Sequence, residues 1–292
     1  MREAIKRTGY VPNRVAGGLA SNRSRLVAAL VPTISGLVFL ETVQAMTEAL
    51  DAAGYQVMLG QSGYDATRED ALLDAIIGRR PDGVIVTGVM HSAAARRRLA
   101  AAGIPIVETW DLTPTPIDML VGFSHEKVGA AVAEYLAYRE VKNPALVSAD
   151  DYRASLRRKG FVDAASRKGY GKVPQGLVST PTTLGAGRKA LGEILDAHPQ
   201  TDAVFCSSDV LALGALTEAQ SRGLEVPRQL RVFGFGDLDF AAHTFPALST
   251  VRIDGTAIGR RAAQFVIDRA AGRAIGNRIV DVGFKLIARA SA

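Results

Sequence analysis

The chain has 292 residues, 48% hydrophobic and 22% charged, a composition too apolar for disorder and too evenly mixed for a fibre. Its single cysteine, Cys206, excludes a disulfide-stapled scaffold, and no apolar run reaches the roughly 18 residues that span a bilayer. The formal charge of +6 is concentrated in an arm: residues 1–25 carry Arg2, Lys6, Arg7, Arg14, Arg23 and Arg25 against Glu3, leaving the body nearly neutral and pointing to a polyanionic partner at the arm.

The basic start, MREAIKRTGYVPNR, is followed by neither an apolar core nor a small-residue cleavage site, so it is not a secretory signal and a cytoplasmic location is expected. Ala4–Thr8 reads as the end of a helix closed by Gly9, and Tyr10-Val11-Pro12 as extended chain. Asn13 suits the cap of a short segment running from Arg14 through Val15 to Ala20. Gly17 and Gly18 each cost about 1 kcal/mol there relative to alanine, and so short a helix is unstable by itself, so it is expected to fold only when a partner orders it. Leu19 is its exposed apolar residue unless that partner covers it.

From Leu26 short apolar runs alternate with helical patterns. Leu26–Val31 reads as a buried parallel strand closed by Pro32. Phe39, Val43, Met46, Leu50 and Ala53 fall at helical spacing before Gly54, and Tyr55–Leu59 is a second strand. A helix with Leu72, Leu73, Ile76 and Ile77 inward, the strand Gly83–Thr87, the helix Ser92–Ala102 and the strand Ile104–Glu108 complete a first series. The second series takes helix Glu126–Tyr138, strand Ala145–Ser148, helix Leu156–Lys168, a weak strand near Leu177, helix Gly187–Ala197 and strand Ala203–Cys206. Helix Val210–Arg222, strand Leu230–Phe235, helix Ile258–Ala271 and a terminal strand around Ile279–Leu286 follow. Such alternation requires right-handed crossovers and parallel sheets covered on both faces, so an α/β chain of two doubly wound lobes is expected. Ligands of such sheets sit beyond the carboxyl ends of the strands, here in a cleft between the lobes.

Catalytic patterns are missing. The chain has no phosphate-binding glycine loop, no G-x-G-x-x-G after the first strand and no G-x-S-x-G elbow. His91, His125, His198 and His243 lack partners at metal-ligand spacing, so no metal, no cofactor and no enzymatic activity are expected. Asp150-Asp151 reads as a helix cap and Cys206 as a core residue. The strand ends are richer: Ser35 and Phe39, Trp110 and Asp111, Phe123 and Ser124, Arg153 and Arg157, Ser208 and Asp209, Gly236 and Asp237. Aromatic faces, hydroxyls, carboxylates and guanidinium forks converging on one cleft suit a polyhydroxylated small molecule. Two of these positions also admit a plainer role, with Asp209 capping its helix and Phe123 in the core.

Three ordered motifs resemble those of the LacI family of transcriptional regulators. Gly9-Tyr10-Val11-Pro12-Asn13-Arg14-Val15-Ala16 through Leu19-Ala20 is similar to the end of that family's DNA-binding headpiece and its hinge helix. Ser207-Ser208-Asp209 with Ala212-Leu213-Gly214-Ala215, and Val232-Phe233-Gly234-Phe235-Gly236-Asp237 with Pro246-Ala247-Leu248-Ser249-Thr250-Val251, resemble its two later signatures. Val31-Pro32-Thr33-Ile34-Ser35 with Phe39 and Gly54-Tyr55-Gln56 is similar to the gluconate-repressor branch. The resemblance implies a periplasmic-binding-protein-like pair of lobes preceded by a short hinge helix. The division it suggests is an arm at 1–25, a first lobe at 26–124 plus 253–277, and a second at 125–252 plus 278–292.

It further implies a homodimer, without membrane attachment, that regulates transcription, with operator DNA as partner and a sugar or sugar acid as effector. Asn13, Arg14, Val15 and Leu19 would bind DNA, Leu19 wedging between base steps in the minor groove and Asn13 and Arg14 contacting backbone or groove. Arg157 matches the family's effector-binding arginine before Gly160-Phe161, Ser208 stands where the family has an asparagine, and Gly236 where it has an aspartate. With Ser35, Phe39, Trp110, Phe123, Arg153 and Asp237 these form the expected effector site, and the two arginines favour an anionic sugar acid. The family's helix-turn-helix of roughly fifty residues is represented only by Arg2–Thr8, which points to an incomplete reading frame or a deliberately shortened chain. The C-terminal residues show no leucine heptads, so tetramers are not expected. A periplasmic-type solute-binding protein would share the two-lobe architecture and is the alternative reading.

Overall fold

The computed structural model describes residues 23–34, 36–63, 66–89 and 92–292. The expectations for Asn13, Arg14, Val15 and Leu19, and for Ser35 in the cleft, lie outside the described residues.

The first strand, β1 (Leu26–Val31), leads through a short 3-10 turn, Leu37–Phe39, to α1 (Leu40–Ala52), β2 (Gln56–Gln61), α2 (Ala66–Ile77), β3 (Gly83–Thr87), α3 (Ala93–Ala101), β4 (Ile106–Thr109) and β5 (Met119–Gly122). The chain then crosses into a second series: α4 (His125–Tyr138), β6 (Pro144–Ala149), α5 (Tyr152–Arg167), β7 (Gln175–Val178), α6 (Leu184–Ala197), β8 (Ala203–Cys206), α7 (Asp209–Ser221) and β9 (Arg231–Phe233). It returns through β10 (Thr250–Arg252) to α8 (Gly255–Ala270) and ends in β11 (Ile279–Asp281) and β12 (Lys285–Ile287).

Two parallel sheets result, ordered β11-β5-β4-β3-β1-β2 and β7-β6-β8-β9, with β10 and β12 forming an antiparallel ribbon. Strand β1 shows why its sequence is apolar throughout. Val27 and Ala29 face the large core that runs through both lobes, whereas Ala28 and Leu30 face a second core with Leu73, Ile76 and Leu99, so both faces are covered.

The expected α/β architecture of two doubly wound parallel-sheet lobes is present, with three departures in detail. Strands β5 and β10 are too short, at 4 and 3 residues, to register as apolar runs beside their proline-containing loops. The terminal strand expected around Ile279–Leu286 is two strands, because Gly283 turns at φ +65 and its N–H is held by Asp281 Oδ1 at 2.9 Å. Finally, β11 pairs with β5, so residues 279–281 belong to the first sheet and not, as the sequence suggests for 278–292, to the second lobe.

Glycines set how closely the helices meet. A Cβ on Gly129 of α4 would lie 1.9 Å from the Arg157 carbonyl oxygen, and one on Gly160 of α5 would lie 2.0 Å from that of Glu126. The backbones of α4 and α5 therefore touch, which brings the first turn of α4 against the first two turns of α5 at the lobe boundary.

Candidate functional site between the lobes

The carboxyl ends of the strands open onto one cleft. Its walls include Thr33, Phe39 and Trp110 from the first lobe, and Arg153, Arg157, Ser207, Ser208 and Phe235 from the second, around a cavity of about 130 Å³. Phe39 meets Trp110 edge-on at 5.0 Å between centroids. Trp110 has a left-handed backbone, φ +64, unusual for so large a side chain, and its indole N–H donates to Thr42 Oγ1 at 3.0 Å.

Helix α5 supplies both arginines because Asp151 starts it early, its carboxylate accepting from Ala154 N at 3.1 Å. Arg153 reaches across to the first lobe, lying 5.2 Å from the Phe39 ring centroid and donating to the Thr87 carbonyl at 3.3 Å. Arg157 lies one helical turn further on. It is buried, 4.0 Å from the Phe235 ring centroid, and donates from Nη2 to the Ser207 carbonyl at 3.0 Å. Its Nη1 meets His125 Nδ1 at 2.8 Å, while Nε has no hydrogen-bond partner among the described residues. Burial pulls the guanidinium pKa down to about 10, so it remains a cation at neutral pH.

Of the expected site residues, Phe39, Trp110, Arg153, Arg157 and Ser208 share this wall. Phe123 does not reach it. It packs fully buried behind, 5.8 Å from Trp110 and 4.5 Å from His125 between ring centroids, in the core position its plainer reading allowed. Gly236 and Asp237 also lie off the wall. Asp237 turns away at φ +50 into ion pairs with Arg289 at 2.6 Å and Arg252 at 3.5 Å. Sequence reasoning missed His125, together with Thr33, Ser207 and Phe235, on the cleft wall. No local signal marks His125, because its partners Trp110 and Arg157 lie 15 and 32 residues away in the chain.

Ser208, and not Asp209, caps α7, accepting from Leu211 N at 3.3 Å. The buried Asp209 carboxylate instead accepts from Thr250 Oγ1 at 2.6 Å and Leu238 N at 2.8 Å, tying α7 to the segments on which Phe235 is held. Burial pushes its pKa up to about 6. The folded protein then binds an extra proton between the ordinary carboxylate value and about 6, so this contribution to stability is fully present below about 4 and lost as pH rises through 6. Asp209→Asn is expected to gain on wild type by roughly 3 kcal/mol between pH 4 and 7, read as the pH dependence of the difference in unfolding free energy. A difference independent of pH would contradict this reading of the carboxylate.

Among the described residues no group of three or more His, Cys, Asp or Glu side chains could hold a metal ion, and no helix is long and apolar enough to cross a membrane. The walls supply cations, hydroxyls and aromatic faces, the chemistry of binding.

Residues 133–292 match the model of the periplasmic binding protein-like domain. Over its whole length the chain is 38% identical to the HTH-type transcriptional regulator GntR of Pseudomonas aeruginosa, of which it covers 85%. The structure superposes with a TM-score of 0.94 on a LacI-family transcriptional regulator from Silicibacter pomeroyi, at 31% identity over 99% of this chain and 88% of that one. The chain belongs to the LacI family of transcriptional regulators. Its function is transcriptional regulation, and its relatives are regulators and not enzymes, as the absence of a catalytic pattern implied. The transcriptional regulator CelR, solved in complex with cellobiose, is 26% identical, with a TM-score of 0.79 over all of this chain and 89% of that one. In this LacI-family regulator, the interlobe cleft lies where the two sheets present their carboxyl ends.

Proposed function

We propose that this regulator senses a sugar acid in the interlobe cleft and changes its affinity for operator DNA when that ligand binds. The observation that carries the reading is Arg157, a buried guanidinium on the cleft wall whose Nε has no hydrogen-bond partner among the described residues. A carboxylate accepts such N–H groups with charge assistance and neutralises the buried charge, which a neutral sugar cannot do. Arg153 adds a second cation beside it, and Phe39, Trp110 and Phe235 offer faces to the carbon chain of the ligand. That a relative was solved with cellobiose supports a carbohydrate-like ligand, and the arginines favour the acid form. Calorimetric titration tests this: D-gluconate is expected to bind at least about tenfold more tightly than D-glucose, a margin of one charge-assisted hydrogen bond. Equal affinities would overturn the choice of a sugar acid.

The signal is read at DNA by a cytoplasmic homodimer whose hinge segments enter the minor groove through Asn13, Arg14, Val15 and Leu19. A shift of the lobes that changes the spacing of the two hinge segments lowers affinity for the operator. The lobes are residues 26–124 with 253–281, and 125–252 with most of the C-terminal segment. The dimer face in this reading includes Phe245, which is large, apolar and fully exposed. Phe245→Asp is expected to raise the dimer dissociation constant about tenfold or more in sedimentation equilibrium, and an unchanged constant would exclude this face.

A further inference from the structure

His125 opens α4 just past the crossover between the lobes, and its ring is buried between them. Its Nε2 lies 2.9 Å from the Trp110 carbonyl oxygen, on the first lobe. A carbonyl only accepts, so Nε2 carries the proton and Nδ1 is left as an acceptor. Arg157 Nη1 donates to that acceptor at 2.8 Å, from the second lobe. The ring is thus neutral, in one tautomer, with both nitrogens engaged. It also packs at 4.5 Å against the Phe123 ring and 6.2 Å from that of Phe235, between ring centroids.

We propose that His125 is the positioning residue for the ligand-binding guanidinium of Arg157, and that it ties this arginine to the first lobe through Trp110. The inference rests on the reading of Arg157 as the site of the ligand's carboxylate. The guanidinium is fixed from both ends: His125 holds Nη1 and the Ser207 carbonyl holds Nη2, so Nε keeps one direction. A change in the relation of the lobes moves Trp110 relative to α5, and the imidazole carries that change to Arg157. Ligand affinity and lobe orientation are then linked through a single side chain.

Protonation breaks the device, because an imidazolium has no acceptor to offer Arg157. The charges acting on the ring are Arg157 and Arg153 from α5; Asp151 at the start of α5 and Asp111 after β4 act on Arg157, and Glu126 and Lys127 are the ring's neighbours on α4. Burial and the two guanidinium groups hold the imidazole well below its ordinary pKa. Affinity for a sugar acid is therefore expected to stay level through the ordinary imidazole range and to fall only at lower pH.

Two sets of measurements test this. In the first, D-gluconate is titrated calorimetrically into wild type, His125→Ala and His125→Gln across pH. His125→Ala is expected to weaken binding about tenfold, and His125→Gln, which keeps one donor and one acceptor, to recover most of the loss and to leave only the acid fall that protonation of the ligand's carboxylate causes. Unchanged binding in His125→Ala overturns the proposal, as does a His125→Gln variant that binds no better than His125→Ala. The second set uses the unliganded protein. The imidazole ¹⁵N spectrum is expected to show a protonated Nε2 and an unprotonated Nδ1 through the ordinary titration range, and His125→Ala and Arg157→Ala to be non-additive in unfolding free energy. A ring titrating at its ordinary pKa, or additive effects, overturns the proposal. If wild type binds no gluconate, the sugar-acid reading fails, and the second set still decides whether His125 positions Arg157.

Discussion

Arg157→Ala is expected to weaken binding of D-gluconate by at least about a hundredfold, roughly 3 kcal/mol, as measured by calorimetric titration. Truncation removes the buried cation that faces the ligand and strands two acceptors, His125 Nδ1 and the Ser207 carbonyl. Arg157→Lys is expected to restore little of the loss. An ammonium keeps the charge but not the planar fork that lets Nη1 and Nη2 be held while Nε stays directed. Full recovery by lysine would mean that charge alone, and not the oriented guanidinium, carries recognition.

Gly160→Ala is expected to be among the most destabilising single substitutions in the second lobe, costing about 3 kcal/mol or more in thermal unfolding. The added carbon would lie 2.0 Å from the Glu126 carbonyl oxygen, a backbone atom that cannot rotate away, so α4 and α5 must separate. His125 and Arg157 sit on those two helices, and their 2.8 Å contact is expected to be lost together with the stability. Gly171→Ala provides the control: a Cβ there meets nothing within 4 Å, and near-neutral stability is expected. If both variants unfold alike, the close approach of α4 and α5 does not set the geometry of the site.

The sequence made legible whatever depends on local periodicity. β1, β3 and β8 were bounded correctly because both faces of these strands are buried, which leaves a continuous apolar run with sharp ends. The short strands β5, β10 and β12 were not foreseen as separate elements, since they are defined by pairing with segments distant in sequence. Part of the cleft wall was legible by the same logic. Residues that follow strand ends and point along the sheet, such as Trp110 and Ser208, were found from position alone.

What was misread depended on partners that the sequence does not display. Asp237 looks like a cleft carboxylate until Arg289, 52 residues away, is seen to occupy it. Asp209 resembles a helix cap, yet Thr250 and Leu238 engage both its oxygens. A lone histidine at the start of a helix carries no sign of function. His125 acquires a role because the Trp110 backbone turns left-handed and the Gly129–Gly160 crossing brings α5 within reach.

The central claim is that the cleft binds a sugar acid through the buried guanidinium. A crystal structure of the protein with D-gluconate tests it most directly. The expected result is the ligand between the lobes, its carboxylate within hydrogen-bond distance of Arg157 Nε and its carbon chain against Phe39, Trp110 and Phe235. Gluconate bound outside the cleft, or oriented with its carboxylate away from Arg157, would contradict it.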